Sequence, residues 1–150
     1  MKYTTTNEFD HFDFLEVHVN DIMFANGVFK IGLDDVKILP ENSCNRDIRK
    51  MRTNGLILSL SDAEILSFVE EGYRIYDADG NLKKTEDDVP VDEHEYKTVF
   101  EYFTDAYAYN IEKKDDEYTF VIDGTNERTY SIIVKASGDA QEWDKFLNLE

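Results

Sequence analysis

Three short segments, 17–24, 31–38 and 58–65, share one pattern of apolar and polar residues. In each, two apolar residues alternate with polar ones, a polar pair ending in Asp follows, and apolar residues then resume on the opposite parity. Side chains of a β-strand alternate between its two faces, so one extra residue moves all later side chains to the other face. A β-bulge inserts such a residue and increases the local twist. The pattern therefore predicts bent strands that curl around a core.

The first two segments are joined by Asn26-Gly27, a dipeptide typical of a type I′ hairpin turn. Apolar cross-strand pairs follow from this turn and from one extra residue in each strand: Phe24–Phe29, Ile22–Ile31, Val19–Leu33, Val17–Val36 and Leu15–Ile38. Such pairs are the stabilising unit of an antiparallel sheet. We therefore predict a long hairpin with two bulges over residues 13–39.

The third segment allows two interpretations. Ser61 and Glu64 fit a helix capping box, which favours a short helix over 61–70. The alignment with two strand-like segments instead predicts that residues 56–69 are mostly strand. Further along, residues 77–81 resemble the start of a calcium-binding loop, but Gly80 does not occupy the sixth position that such a loop requires. A hairpin turn at Asp79-Gly80 is the preferred interpretation.

Helical spacing occurs in two places after residue 91. Tyr96, Val99, Phe100 and Phe103 lie at i, i+3, i+4 and i+7, which predicts an amphipathic helix near 92–104. Residues 107–134 alternate as a meander of three strands. The apolar residues 143, 146 and 147 predict a short C-terminal helix near 139–147, capped by Asp139.

The predicted fold class is strand-rich α+β. We expect about eight mostly antiparallel strands in a curved sheet or sandwich, with the helix near 92–104 covering one side. Antiparallel pairing is favoured because the strands alternate between apolar and polar residues, whereas parallel strands are more continuously apolar. At 150 residues the chain is expected to form one domain, 1–150.

The charge balance restricts the partners. The chain carries 16 Lys and Arg against 33 Asp and Glu, a formal net charge of −17. Such a surface repels nucleic-acid phosphates and anionic lipid, so neither nucleic acid nor a membrane is an expected partner. A basic protein is the expected partner, because complementary charge speeds association. Cys44 is the lone cysteine, and the start of the chain has no apolar leader, which predicts a cytoplasmic protein.

The candidate partner-binding residues are two acidic clusters and one aromatic side chain. Tyr102 lies beside the apolar stripe of the predicted helix and is suited to an interface. If the clusters share one side of the fold, they form an electronegative docking surface. They comprise Glu86, Asp87, Asp88, Asp92 and Glu93, and then Asp115, Asp116 and Glu117.

No catalytic motif is present. The chain lacks a glycine-rich phosphate loop, a Gly-x-Ser-x-Gly elbow and a His-Glu-x-x-His sequence. We therefore expect no enzyme, no cofactor and no metal site. If the chain were an enzyme or a small-ligand binder with a concave sheet face, His18, Glu16 and Cys44 would be the first residues to consider.

One basic segment interrupts the acidic chain. Arg46, Arg49, Lys50 and Arg52 lie within seven residues. The preferred interpretation is a basic loop that lies over the acidic surface of the protein itself. The alternative is a contact with an anion or an acidic peptide.

These features favour a non-catalytic acidic module that docks a basic protein. Compact acidic proteins of this size without catalytic motifs are similar in outline to bacterial immunity proteins, which cap toxins such as basic nucleases. This resemblance is one of composition and implies no site residues. The alternatives are the small-ligand binder or enzyme described above, and a structural domain that associates into a homo-oligomer.

Overall fold

The computed structural model describes residues 1–149 and is rich in strands. Residues 1–149 contain fifteen strands rather than the roughly eight predicted, because bends divide two of the predicted strands and several short strands have no clear alternation in the sequence. They are β1 (Tyr3–Thr6), β2 (Phe12–Asp13), β3 (Val17–Ala25), β4 (Val28–Asp34), β5 (Val36–Ile38), β6 (Met51–Thr53), β7 (Leu56–Ser61), β8 (Glu64–Glu70), β9 (Tyr73–Tyr76), β10 (Leu82–Glu86), β11 (Val89–Pro90), β12 (Tyr107–Lys114), β13 (Glu117–Asp123), β14 (Thr129–Lys135) and β15 (Gly138–Trp143).

A short helical segment lies where an amphipathic helix was predicted. It consists of α1 (Tyr96–Phe100) flanked by 3-10 turns at Glu93–Glu95 and Glu101–Phe103. A further 3-10 turn lies near the start of the chain, at Phe9–His11. The Asp92 carboxylate accepts a hydrogen bond from the His94 backbone N–H at 2.9 Å and so caps the start of the helical segment. Phe100 is buried and stacks on Phe68 of β8, with ring centroids 5.8 Å apart.

No helix among residues 1–149 has both the length and the apolar character that crossing a membrane requires.

Every strand pair is antiparallel, as predicted. Ten strands form the main sheet in the order β1-β15-β7-β4-β3-β12-β13-β14-β8-β11. Two smaller sheets accompany it, β2-β5-β6 and β10-β9.

The main sheet folds back on itself at a corner. β7 and β8 are consecutive in the chain, yet five strands separate them in the sheet order. β7 pairs with β15 and β8 pairs with β14. The chain bends at Asp62 between β7 and β8, and it bends at Ser137 between β14 and β15, so the two bends lie side by side. Asp62 has φ 50°, and its carboxylate accepts a hydrogen bond from the Ser137 hydroxyl at 2.8 Å. Strands that switch layers by such bends form the corners of orthogonally packed sheets.

The core lies between the two layers that this corner creates. Phe29 of β4 and Phe120 of β13 are fully buried, with ring centroids 5.0 Å apart. Phe103 from the helical segment and Trp143 from β15 are also fully buried. The predicted strand-rich class with antiparallel sheets and one short helical segment is therefore confirmed, whereas the number of strands and the length of the helix differ from the prediction.

The first part of the predicted hairpin is confirmed and the second part is wrong. Asn26 and Gly27 both have positive φ, and the ladder contains the three pairs nearest the turn, with a bulge between Val19 and Asp21. Val17–Val36 and Leu15–Ile38 do not pair. Asp35 has φ 61°, so the chain leaves β4 there and continues as β5, which pairs with β2 and β6 instead.

Residues 56–61 and 64–70 are strands, so the prediction that residues 56–69 are mostly strand is confirmed over the short helix. The C-terminal helix near 139–147 is a wrong prediction. Residues 138–143 form β15, between β1 and β7. Asp139, Gln141 and Trp143 alternate as buried positions along it. Two of these three buried side chains are polar, so the alternation of apolar and polar residues that indicates a strand is missing. The remaining apolar residues 143, 146 and 147 have the spacing of a helix, which explains the wrong prediction.

Candidate functional site

The two predicted acidic clusters lie at opposite ends of the β8–β14 ladder. Val89 pairs with Glu70, which also pairs with Tyr130, so the cluster at residues 86–93 lies at that end. Glu117 pairs with Lys135 at the other end of β14. At ~3.3 Å per residue the two ends are about 15–20 Å apart. The structure therefore does not bring the two clusters together into one compact patch.

The first cluster surrounds the base of a projecting hairpin formed by β9 and β10. The Gly72 backbone N–H donates to the Asp88 carboxylate at 2.7 Å. A Cβ atom at Gly72 would overlap the carbonyl oxygen of Glu86, so only glycine allows this close approach of the backbone. The base of the hairpin is thus fixed by main-chain packing and by one carboxylate of the cluster.

Arg128 reinforces the hairpin base. Its guanidinium lies 3.2 Å from the Glu70 carboxylate and 3.5 Å from the Glu86 carboxylate. It also stacks over the ring of Tyr73, 5.5 Å from the centroid. These contacts join β8, β10 and the loop before β14, and orient the hairpin relative to the main sheet.

The hairpin and the segment after it are exposed. All of residues 81–90 and 92–95 are exposed. Residues 85–96 contain six carboxylates and no Lys or Arg: Glu86, Asp87, Asp88, Asp92, Glu93 and Glu95. Among residues 1–149, only Glu86 of these has a cationic partner within 4.0 Å.

Apolar side chains accompany these charges. Ile75, Tyr76, Leu82 and Val89 are each about half exposed. Tyr76 and Leu82 pair directly across the hairpin. The pair lies toward the tip of the hairpin and the carboxylates lie at its base, so this exposed end of the molecule carries both components of a protein-docking surface, an apolar anchor and a polar surround.

Tyr102 lies at the same end of the sheet as the first cluster. Its backbone carbonyl accepts hydrogen bonds from the backbone N–H and hydroxyl of Thr125, in the turn between β13 and β14. The side chain is 39% exposed, in keeping with an available aromatic surface.

The second cluster occupies the turn between β12 and β13. Asp115 has φ 57°, and Asp116 lies 3.9 Å from the Lys135 ammonium in an exposed ion pair. Glu117 pairs with Lys135 across the strands. Exposed pairs of this kind contribute little to stability, and they neutralise part of the cluster.

His18 lies at the joint between the two halves of the sheet. It pairs with Tyr107, in the two-residue ladder that joins β3 to β12. Its Nδ1 lies 3.4 Å from the Asp34 carboxylate and its Nε2 lies 3.4 Å from the Asp105 carboxylate. Among residues 1–149, Glu16 is not one of its polar partners, and Cys44 lies elsewhere, near the carbonyl of Thr4. The structure therefore does not assemble His18, Glu16 and Cys44 into one site.

A buried polar network lies inside the fold at Asp139, whose side chain has no exposed surface. Its carboxylate accepts hydrogen bonds from Tyr118 Oη at 2.6 Å, Gln141 Nε2 at 2.5 Å and the Phe9 backbone N–H at 3.1 Å. The Lys113 ammonium lies 3.6 Å away. The sequence predicts that Asp139 caps a helix, whereas the structure places it in β15. Its alternation with Gln141 is the sequence signal that could have indicated a buried strand position.

The stability that this network contributes depends on pH through the phenol of Tyr118. Burial, together with its hydrogen bond to the Asp139 carboxylate, raises the pKa of Tyr118 well above its ordinary value. The unfolded chain loses this proton near pH ~10, whereas the folded chain retains it. The stabilisation is therefore complete below that pH and is lost as the pH rises toward the folded pKa.

We expect Tyr118→Phe to weaken the alkaline loss of stability. The measurement is the urea midpoint between neutral pH and pH ~11. Tyr109→Phe is the matched control, because Tyr109 is 56% exposed. Part of the pH dependence is expected to remain, since burial also raises the pKa of Tyr96 and Tyr130. Identical alkaline slopes for the wild type and Tyr118→Phe would contradict the assignment.

Comparison with known proteins adds no relative: no protein-family model, no curated protein and no solved structure matches this chain. Within residues 1–149, no group of three or more His, Cys, Asp or Glu side chains has an arrangement that could hold a metal ion.

Proposed function

We propose that this protein is a non-catalytic acidic module that docks a basic protein partner. The observation that carries the proposal is the segment 85–96, which begins at the end of the projecting hairpin and has six exposed carboxylates, one of them ion-paired among residues 1–149. We define the acidic docking surface as this segment together with the hairpin residues Ile75, Tyr76 and Leu82. Tyr102, in the 3-10 turn after α1, is an additional exposed aromatic side chain at the same end of the sheet.

The chemistry of this surface supports a cationic partner. Unpaired carboxylates attract Lys and Arg side chains, and the net charge of −17 steers a basic protein toward the chain. The apolar pair Tyr76–Leu82 supplies surface that a partner can bury. Inhibition by capping, as immunity proteins cap basic toxins, is the mode of action that we propose.

Binding of basic proteins encoded next to this gene, purified and measured by surface plasmon resonance, tests the proposal. We expect a complex whose association rate falls as salt is added. Neutralisation by Asp87→Asn with Glu93→Gln is expected to slow association several-fold. Asp116→Asn with Glu117→Gln is the matched control, because it changes the net charge equally in the distant second cluster.

The apolar part of the surface has its own variant. Leu82→Ser is expected to shorten the lifetime of the complex and to leave the thermal midpoint of the free protein unchanged, since Leu82 is 54% exposed. Absence of any complex at low salt would contradict the proposed function. Equal slowing by both pairs of neutralising substitutions would contradict the assignment of the surface.

A further inference from the structure

A groove distinct from the acidic docking surface lies between the basic segment and the chain termini. Its volume is about 630 Å³, and it is lined by Tyr3, Cys44, Ile48, Met51 and Phe146 among others. Phe146 packs edge-on against Tyr3, with ring centroids 4.9 Å apart. The groove therefore has an aromatic wall contributed by both ends of the chain.

The basic loop that forms the other wall is held in place. Asn45 is buried, and its side-chain amide donates to the backbone carbonyls of Ile38, Leu39 and Arg49 at 3.1–3.2 Å. The Asp47 carboxylate accepts from the backbone N–H and the guanidinium of Arg49. A loop fixed in this way loses little conformational entropy when a ligand binds.

The C-terminal segment is fastened to the same region. Arg52 and Leu147 exchange two backbone hydrogen bonds, at 2.9 and 2.7 Å. The Arg52 guanidinium also donates to the carbonyl of Asn148 at 3.1 Å. This pairing holds Phe146 beside the loop, so the groove is preformed.

Acidic side chains of the protein itself lie near some of the cations of this loop, and Lys50 lines a hollow together with Asp10 and Asp13. Arg49 pairs with Asp47 inside the loop, and Arg52 lies 3.7 Å from Asp35. Among residues 1–149, Arg46 and Lys50 have no carboxylate within 4.0 Å. Both side chains are exposed, in a protein whose net charge is strongly negative.

Apolar and cationic surfaces adjoin at Met51. A second hollow of about 630 Å³, lined by Arg49, Lys50, Met51, Asn148 and Leu149, shares this residue with the groove. Ile48 stands at the rim of the groove and is 93% exposed, the most exposed large apolar side chain described. Arg46 lines the groove with the aromatic wall and Lys50 lines the second hollow, so each of the two hollows that share Met51 has a cationic side chain in its lining.

We propose that this groove binds a short acidic peptide segment that carries an apolar side chain. Charge complementarity selects the carboxylates, which Arg46 and Lys50 would contact, while the aromatic wall accepts the apolar group. The net charge of −17 repels a large acidic protein whose other carboxylates come within the Debye length of ~8 Å of the acidic surface, so a flexible segment of small total charge fits better. The protein would then carry two docking surfaces of opposite charge preference.

Fluorescence anisotropy with a labelled synthetic peptide tests this inference. The probe is a short run of Glu residues with one central Trp. We expect saturable binding, and a loss of about tenfold or more in affinity for Arg46→Glu with Lys50→Glu. Lys30→Glu with Lys114→Glu is the matched control, because it gives the same net charge at exposed sites on β4 and β12. Amide chemical shift changes should fall at residues 44–51 and 146.

Three outcomes would overturn the inference: no saturable binding, equal loss in both charge-reversed variants, or equal affinity for a peptide in which Ser replaces Trp. The first inference, on the basic partner, is separable from this one. Arg46→Glu with Lys50→Glu should leave binding of a basic protein to the acidic docking surface intact.

Discussion

Replacing Phe120 with Ala is expected to lower the free energy of unfolding by about 3–5 kcal/mol. Phe120 has no exposed surface and lies on β13, where its ring contacts Phe29 of the opposite layer. Truncation removes buried apolar surface and leaves a cavity between the two layers of the main sheet, which are joined at the corner near Asp62. Because the corner restricts how far the layers can approach, we expect little collapse into the cavity.

Urea unfolding at neutral pH measures this effect through a lower midpoint with an unchanged slope. Val121→Ala is the matched control, since Val121 is the next residue on β13 and faces the other side of the sheet, where it is only half-buried. Equal destabilisation by the two substitutions would contradict the position of the core between the layers.

Replacing Asp139 with Ala is expected to cost about 3–5 kcal/mol, because it removes the acceptor at the centre of the buried network. Tyr118, Gln141 and the Phe9 backbone N–H would each lose a hydrogen bond, and Lys113 would lose its partner. A buried donor without an acceptor costs about 1–3 kcal/mol by itself. The expected loss is therefore as large as that of a core aromatic residue.

The control for Asp139→Ala is Asp116→Ala, which removes a half-exposed carboxylate and an exposed ion pair. We expect a change within ~0.5 kcal/mol for that control. Hydrogen exchange adds a local measurement: the Phe9 amide should lose protection in Asp139→Ala before the amides of β13 do. Wild-type stability of Asp139→Ala would show that the network contributes nothing to the fold.

The candidate site shows the limit of sequence analysis clearly. Residues 86–93 could be identified as acidic and exposed, because a run of carboxylates around Pro90 has no apolar pattern to bury. The distance between these residues and Asp115–Glu117 could not be predicted from the sequence, because it depends on the order of β11, β8 and β14 in the sheet. The binding partner of either cluster stays a prediction.

The shared Asp pattern illustrates the same limit within the fold. At Asp21 it produces a bulge, at Asp35 the chain leaves one sheet for another, and at Asp62 the strand turns the corner between layers. A bend at each place could be predicted because the apolar residues change from one face of the strand to the other, which a few neighbouring residues determine. Which of the three bends forms depends on the strands that happen to lie alongside.

By itself, the sequence determined the hairpin turn at Asn26-Gly27, the helical stripe that includes Phe100, and the antiparallel, strand-rich class. These depend on backbone preferences and side-chain periods within a few residues. Only the tertiary structure decided that residues 138–143 are a strand and that Asp139 is buried. Its partner Phe9 lies 130 positions away, and a polar side chain becomes a core residue only when such distant donors are brought to it.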